Sequence, residues 1–150
     1  MDDVTVAIDG RGVATLTLAR SEKRNALSAQ MMDDITTAAQ HLDRDTAVRV
    51  VVLAAEGGVF CAGGDLGWMR DQMDADTATR RAEARRLAGM LQQLNTLTKP
   101  LIARVHGDAF GGGVGMACVC DVVVAADTAR FGLTETRLGL IPATIGPYVL

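Results

Sequence analysis

Long apolar runs, a surplus of basic residues, pairable cysteines and histidines are all scarce in this sequence, and each shortage removes a class of protein. The longest uncharged stretches, such as Ala109 to Cys120, fall well short of the ~20 apolar residues that a membrane span requires. Lysine and arginine number 15 against 18 aspartates and glutamates, a net charge of -3, which excludes a basic nucleic-acid binder. A hydrophobic fraction of 49% excludes a disordered tail. The opening MDDVTVAIDG is acidic where a signal peptide would be basic, so neither export nor organelle import is indicated. The three cysteines cannot pair completely, and Cys118-Val119-Cys120 lacks the usual zinc spacing, with only His41 and His106 as imidazole ligands. Buried thiols in a soluble, cytoplasmic protein without a metal centre are the expectation.

What is present points to alternating strands and helices. A chain of 150 residues is the size of one domain and buries roughly 70% of the surface its unfolded form exposes. VTVAIDGRGVATLTLA holds two β-branched runs around Asp9-Gly10-Arg11-Gly12, a hairpin signal. Leu27, Met31, Ile35, Ala38 and Leu42 then recur at helical spacing behind Ser28, a candidate N-cap. VRVVVLAA, residues 48 to 55, suits a strand buried on both faces of a parallel sheet. Ala78, Ala82, Leu87, Leu91 and Leu94 predict a long amphipathic helix. LIARVHG and DVVVAA predict two further strands, the second of them buried. The order is that of an α/β protein with crossover connections, without linker or internal boundary over residues 1–150. LGLIPATIGPYVL stops in an apolar stretch with no polar tail, and the expectation is the first part of a longer chain.

Two glycine clusters, AGGD at 62–65 and GGGVG at 111–115, each follow a strand and open a helix. The first N–H groups of a helix lack intrahelical partners, and glycine lets a ligand atom approach the backbone closely. Two such loops can aim one N–H each at the same carbonyl oxygen, where a single donor is worth about 3 to 4 kcal/mol of transition-state stabilisation. The alternative is that both are tight turns and packing positions. A proton carrier is also needed, and Glu135 in FGLTETRLGLIP is the candidate; a solvated carboxylate paired with Arg137 is the competing role. No Gly-Lys-Ser/Thr follows the glycines, which excludes a phosphate-binding P-loop, and the dinucleotide-binding register fails because Cys118 takes its last glycine's place. The only serines, Ser21 and Ser28, lie outside any G-x-S-x-G elbow. Structural roles are expected for His106 and Asp121, and Asp65 is placed to cap the helix after it.

FCAGGDL, HGDAFGGGVGMACVCDVVVAADTARFGLTETRLGLIP and the early SEKRNALS resemble the enoyl-CoA hydratase/isomerase, or crotonase, family over nearly the whole chain. The resemblance implies a right-handed spiral of ββα units, subunits assembled as trimers or hexamers, and C-terminal helices that this sequence lacks. It makes Gly64 and Gly112 the N–H donors to a thioester oxygen and Glu135 the acid/base. It sets Ala62 where the backbone meets coenzyme A and places Arg24 and Ala26 in the segment bordering it. Leu66, Trp68 and Met69 match the mobile segment beside the acyl chain, although Trp68 and Met69 are equally suited to the core; Asp65 is counted with them among the substrate-binding residues. No cofactor is implied, since coenzyme A is part of the substrate; the partner is the acyl-CoA thioester.

One departure stands out from the family pattern. Two-carboxylate hydratases have a glutamate where this chain has Gly115, so one carboxylate does the proton work, or water held by the backbone shares it. The space left by the missing side chain is expected to admit a branched or carboxylated acyl group. GGGVGMA with LTETRLGLIPATIGPYVL resembles the methylglutaconyl-CoA hydratase-like branch of leucine and isoprenoid breakdown. The expected activity is hydration of a 2-enoyl-CoA; a Δ3,Δ2-enoyl-CoA isomerase and a non-catalytic CoA-thioester binder are the alternatives.

Overall fold

Asp9 decides where the first strand turns back. Its Oδ1 accepts the backbone N–H groups of Arg11 (2.8 Å) and Val13 (3.0 Å), a side-chain mimic of a turn. This joins β1 (Val4–Ile8) to β2 (Val13–Leu18) antiparallel, with Val4 opposite Leu18 and Ile8 opposite Ala14. The computed structural model describes residues 3–150. Ser28 caps α1 (Ala29–Arg44) as expected, its Oγ accepting the Met31 N–H at 3.2 Å. The buried stripe of α1 is Met31, Met32, Ile35, Ala39 and Leu42, with Ala38 at its edge.

The chain then repeats one pattern: a strand, a shorter strand, and a helix. β3 (Val50–Ala55) is followed by β4 (Val59–Cys61), α2 (Leu66–Asp74) and α3 (Thr77–Asn95). β5 (Leu101–Val105) is followed by β6 (Asp108–Phe110) and α4 (Gly112–Cys118). β7 (Val122–Ala125) is followed by β8 (Phe131–Gly132), a 3-10 turn over Thr134–Leu138, and α5 (Gly146–Val149). The first strand of each repeat joins one five-stranded sheet in the order β1-β2-β3-β5-β7, parallel beyond the hairpin. The second strands form a separate parallel sheet in the order β4-β6-β8. This is the ββα spiral that the resemblance implied.

The core lies between the larger sheet and helices α1 and α3, where Leu16, Leu53, Ile35, Met90 and Leu91 are fully buried together. Two expectations are corrected. β7 is exposed at all four positions, because it lies at the sheet edge beside β5 and, among the described residues, no helix packs extensively over its faces. In α3 only Met90, Leu91 and Leu94 are buried, while Ala78 and Ala82 face out, because the first half of that helix leans on α2 and not on the sheet: the Trp68 indole N–H donates to Glu83 at 2.7 Å.

Gly113 lets α4 pack closely on the end of β4, since a Cβ there would lie 2.8 Å from both the Cβ and the carbonyl oxygen of Cys61. An open helical glycine gains stability when replaced by alanine. Here Gly113→Ala is expected to lower stability by about 1–3 kcal/mol through overpacking, read as a lower urea midpoint at unchanged m-value.

Candidate active site

Parallel strands bring their C-terminal ends to the same edge. In the smaller sheet Cys61 pairs with Ala109, Ala109 with Phe131, and Phe110 with Gly132. Three loops therefore leave side by side: Ala62-Gly63-Gly64 after β4, Gly111-Gly112 after β6, and Leu133-Thr134-Glu135 after β8. Gly63 (φ +97) and Gly111 (φ +49) adopt dihedrals that L side chains rarely take. A Cβ on Gly111 would lie 3.1 Å from Glu135 Oε1 and 3.7 Å from the Cα of Gly63, so both glycine loops and the carboxylate meet at this point.

Hydrogen bonds fix the direction of the first loop. Leu27 N–H donates to the Gly63 carbonyl (2.8 Å), Asp65 N–H donates to the Leu27 carbonyl (2.9 Å), and Ala62 N–H donates to the Arg24 carbonyl (3.0 Å). In such a parallel bridge between Leu27 and Gly64, the N–H of Gly64 itself turns away from Leu27. Gly112 opens α4 and lies so close to Leu27 that a Cβ would stand 2.7 Å from Leu27 Cδ1. Among the described residues, neither the Gly64 nor the Gly112 N–H has an acceptor. Glu135 Oε2 is buried and equally without a partner. Among the described residues Glu135 forms no ion pair with Arg137, and the solvated-pair role considered for it does not hold.

A cavity of about 1230 Å³ surrounds these groups. It brings together Gly64, Gly112 and Glu135 with Arg24, Ala26, Ala62, Asp65, Leu66 and Met69. Trp68 is not on its wall; its ring packs behind Gly64, with Cζ3 3.6 Å from where a Cβ would stand, and its indole N–H is spent on Glu83. Asp65 faces the cavity but its carboxylate is already engaged. Oδ1 caps α2 through the N–H groups of Gly67 (2.8 Å) and Trp68 (3.1 Å), and Oδ2 accepts from Arg20 Nη1 at 2.8 Å. Burial alone would raise the Asp65 carboxyl, but the Trp68 N–H, the Arg20 guanidinium and the Gly67 N–H together hold it below its ordinary value.

The expectation for Gly115 is overturned in one respect. Gly115 is buried inside α4 and off the cavity wall, and no space stands beside it: a Cβ would lie 2.7 Å from Ile145 Cγ2 and 3.6 Å from Leu91 Cδ1. Ile145, 2% exposed, fills the place. His106 and Asp121 have the structural roles expected, the first bonded to the Gly57 carbonyl (2.7 Å) and the second accepting the Leu101 N–H (2.8 Å).

The profile of the enoyl-CoA hydratase/isomerase family matches residues 9–150. The chain belongs to this family. It is 39% identical over 139 residues to the enoyl-CoA hydratase ACTT6 of Alternaria alternata, covering 93% of this chain and 45% of that protein. Among solved structures it is similar to an enoyl-CoA hydratase from Shewanella pealeana ATCC 700345 (TM-score 0.94, 39% identity, 98% of this chain, 55% of that one). It is also similar to Pseudomonas aeruginosa AtuE (TM-score 0.92, 37% identity, 98% and 57%). The chain spans about half the length of these relatives, and its fold is the crotonase fold.

Within this enoyl-CoA hydratase/isomerase frame, sequence reasoning missed Arg20 and the wall from Ile141 to Ile145. Arg20 ties the loop beside Arg24 to α2, since its Nη1 donates both to the Ala26 carbonyl (2.9 Å) and to Asp65; only its position before SEKRNALS hinted at this. The Arg20–Asp65 contact sets a pH dependence. A carboxylate with a depressed folded pKa adds stability that is present above its unfolded value, about 3.9, and is lost as pH falls through the folded one. Asp65→Asn keeps a capping side chain but loses the charge. It is expected to be less stable than the parent at neutral pH, with the gap closing below about pH 4 in urea melts taken across the acid range.

Proposed function

We propose that the whole protein adds water across the 2,3 double bond of an enoyl-CoA thioester. The observation that carries this reading is the meeting of two acceptor-free N–H groups, on Gly64 and Gly112, with the unpartnered Glu135 carboxylate in one cavity. The matched relatives named as enoyl-CoA hydratases support the same reaction class.

The thioester oxygen is held between the two N–H groups, where negative charge develops as the reaction proceeds. Glu135 takes a proton from a water molecule, and the water oxygen bonds to C3. The electron pair of the double bond moves toward C2 and the thioester oxygen, giving an enolate that the two amides stabilise. Glu135 then returns the proton to C2, so one water is added and the carboxylate is regenerated. Ala62, Arg24 and Ala26 border the coenzyme A portion, and Leu66 with Met69 line the acyl portion. Asp65 acts through position: it caps α2 and anchors the loop carrying Gly64. In this reading the active unit is a homotrimer or hexamer.

With Ile145 in place of open space beside Gly115, a branched or carboxylated acyl group is accommodated along α2 instead. The single carboxylate also suits a Δ3,Δ2-enoyl-CoA isomerase, which moves one proton between C4 and C2 without water. Glu135→Gln is expected to cut the hydration rate of 2-butenoyl-CoA by about 10²–10⁴-fold with KM little changed, followed as loss of conjugated-enoyl absorbance. Hydration surviving at the parental rate removes Glu135 from the reaction. Appearance of that absorbance from a 3-enoyl substrate, without hydration of the 2-enoyl one, assigns the isomerase.

A further inference from the structure

A second cavity, of about 650 Å³, opens beside the first. Leu66, Met69 and Leu138 belong to both, so a chain lying against α2 in the larger cavity runs directly into the smaller one. Its lining is mostly apolar, and Leu66 and Met73 are 66% and 67% exposed.

The charged residues of this cavity are Arg70 and Arg80, and no carboxylate lines it. Arg80 is occupied: its Nε donates to the Gln72 carbonyl (2.9 Å) and its Nη2 to the Met73 carbonyl (2.7 Å), closing the end of α2. Arg70 is different. Among the described residues it makes neither a hydrogen bond nor an ion pair, not even with Asp74 one helical turn on. A free guanidinium beside apolar walls suits a ligand that is apolar along its length and anionic at its end, since arginine presents a planar fork matched to a carboxylate.

We propose that Arg70 is a specificity-determining residue that receives the free carboxylate of a dicarboxylic acyl-CoA, with the acyl stem against Leu66, Met69 and Leu138. This rests on the reading that the larger cavity holds the thioester, and it narrows the branched or carboxylated acyl group of that reading to the carboxylated kind by naming the residue that receives it. It requires no catalytic step. Arg70 discriminates by attraction, through a contact that a methyl-ended chain of the same length cannot make.

Saturated esters separate this proposal from the hydratase reading, because they bind without turnover. Calorimetric titration of the protein with glutaryl-, adipoyl- and suberoyl-CoA is set against the monocarboxylic esters of equal chain length. At least one diacid is expected to bind about fivefold more tightly than its counterpart, the upper range for an ion pair in contact with solvent. That preference falls to about unity in Arg70→Met and is largely kept in Arg70→Lys, which retains the charge. Equal binding of every pair by the parent protein overturns the proposal, as does a preference that survives in Arg70→Met or an absence of binding by all the esters. Failure to hydrate 2-hexenoyl-CoA, with the diacid preference intact, counts against the hydratase reading alone.

Discussion

The parallel pairing of β4, β6 and β8 is the constraint from which the candidate site follows. Neighbouring strands in a sheet lie about 4.8 Å apart, so three loops leaving consecutive strand ends start within reach of one another without any loop having to search. Each strand is only two or three residues long, yet together they deliver two main-chain N–H groups and a carboxylate to one cavity. Donors fixed by a ladder of hydrogen bonds need little reorganisation as charge develops, which is the condition under which such donors are most effective.

Leu27 links this arrangement to the rest of the molecule. Its backbone bridges Gly64 while its side chain lies against Gly112, so a single residue touches both amide-bearing loops. Behind it, Asn25 is fully buried with a positive φ, and its side-chain amide donates to the carbonyls of Glu56 and Val59, each at 2.9 Å. The segment 24–27 is thus tied to the start of β4 at one end and to its outgoing loop at the other. The glycines divide the remaining work: Gly63 and Gly111 supply unusual dihedrals, whereas Gly112 and Gly113 allow close approach.

Most of the larger sheet was legible in the sequence because its signals are local. Asp9 makes the turn, Ser28 makes the cap, and β3 reads as a continuous apolar run. The glycine loops and Glu135 were legible as chemistry, since unusual residue types stand where a helix or strand should end. The smaller sheet was not legible: strands as short as Phe131–Gly132 carry no periodicity, and their pairing is decided by residues more than twenty positions away in the chain. The exposure of β7 and the filling of the Gly115 site are likewise non-local. VVVA reads as buried whether or not a neighbour covers it, and nothing near Gly115 announces that Ile145, thirty residues on, will pack against it.

The seat of Ile145 on Gly115 constrains how this site can change over descent. Position 115 cannot take a larger residue in a single substitution without disturbance, because the first carbon of the new side chain would enter space held by a buried isoleucine. A smaller residue has to arrive at position 145 beforehand, at the cost of core packing until the larger one follows. Positions 115 and 145 are therefore expected to be epistatic, occurring in matched combinations across relatives and seldom exchanged one at a time.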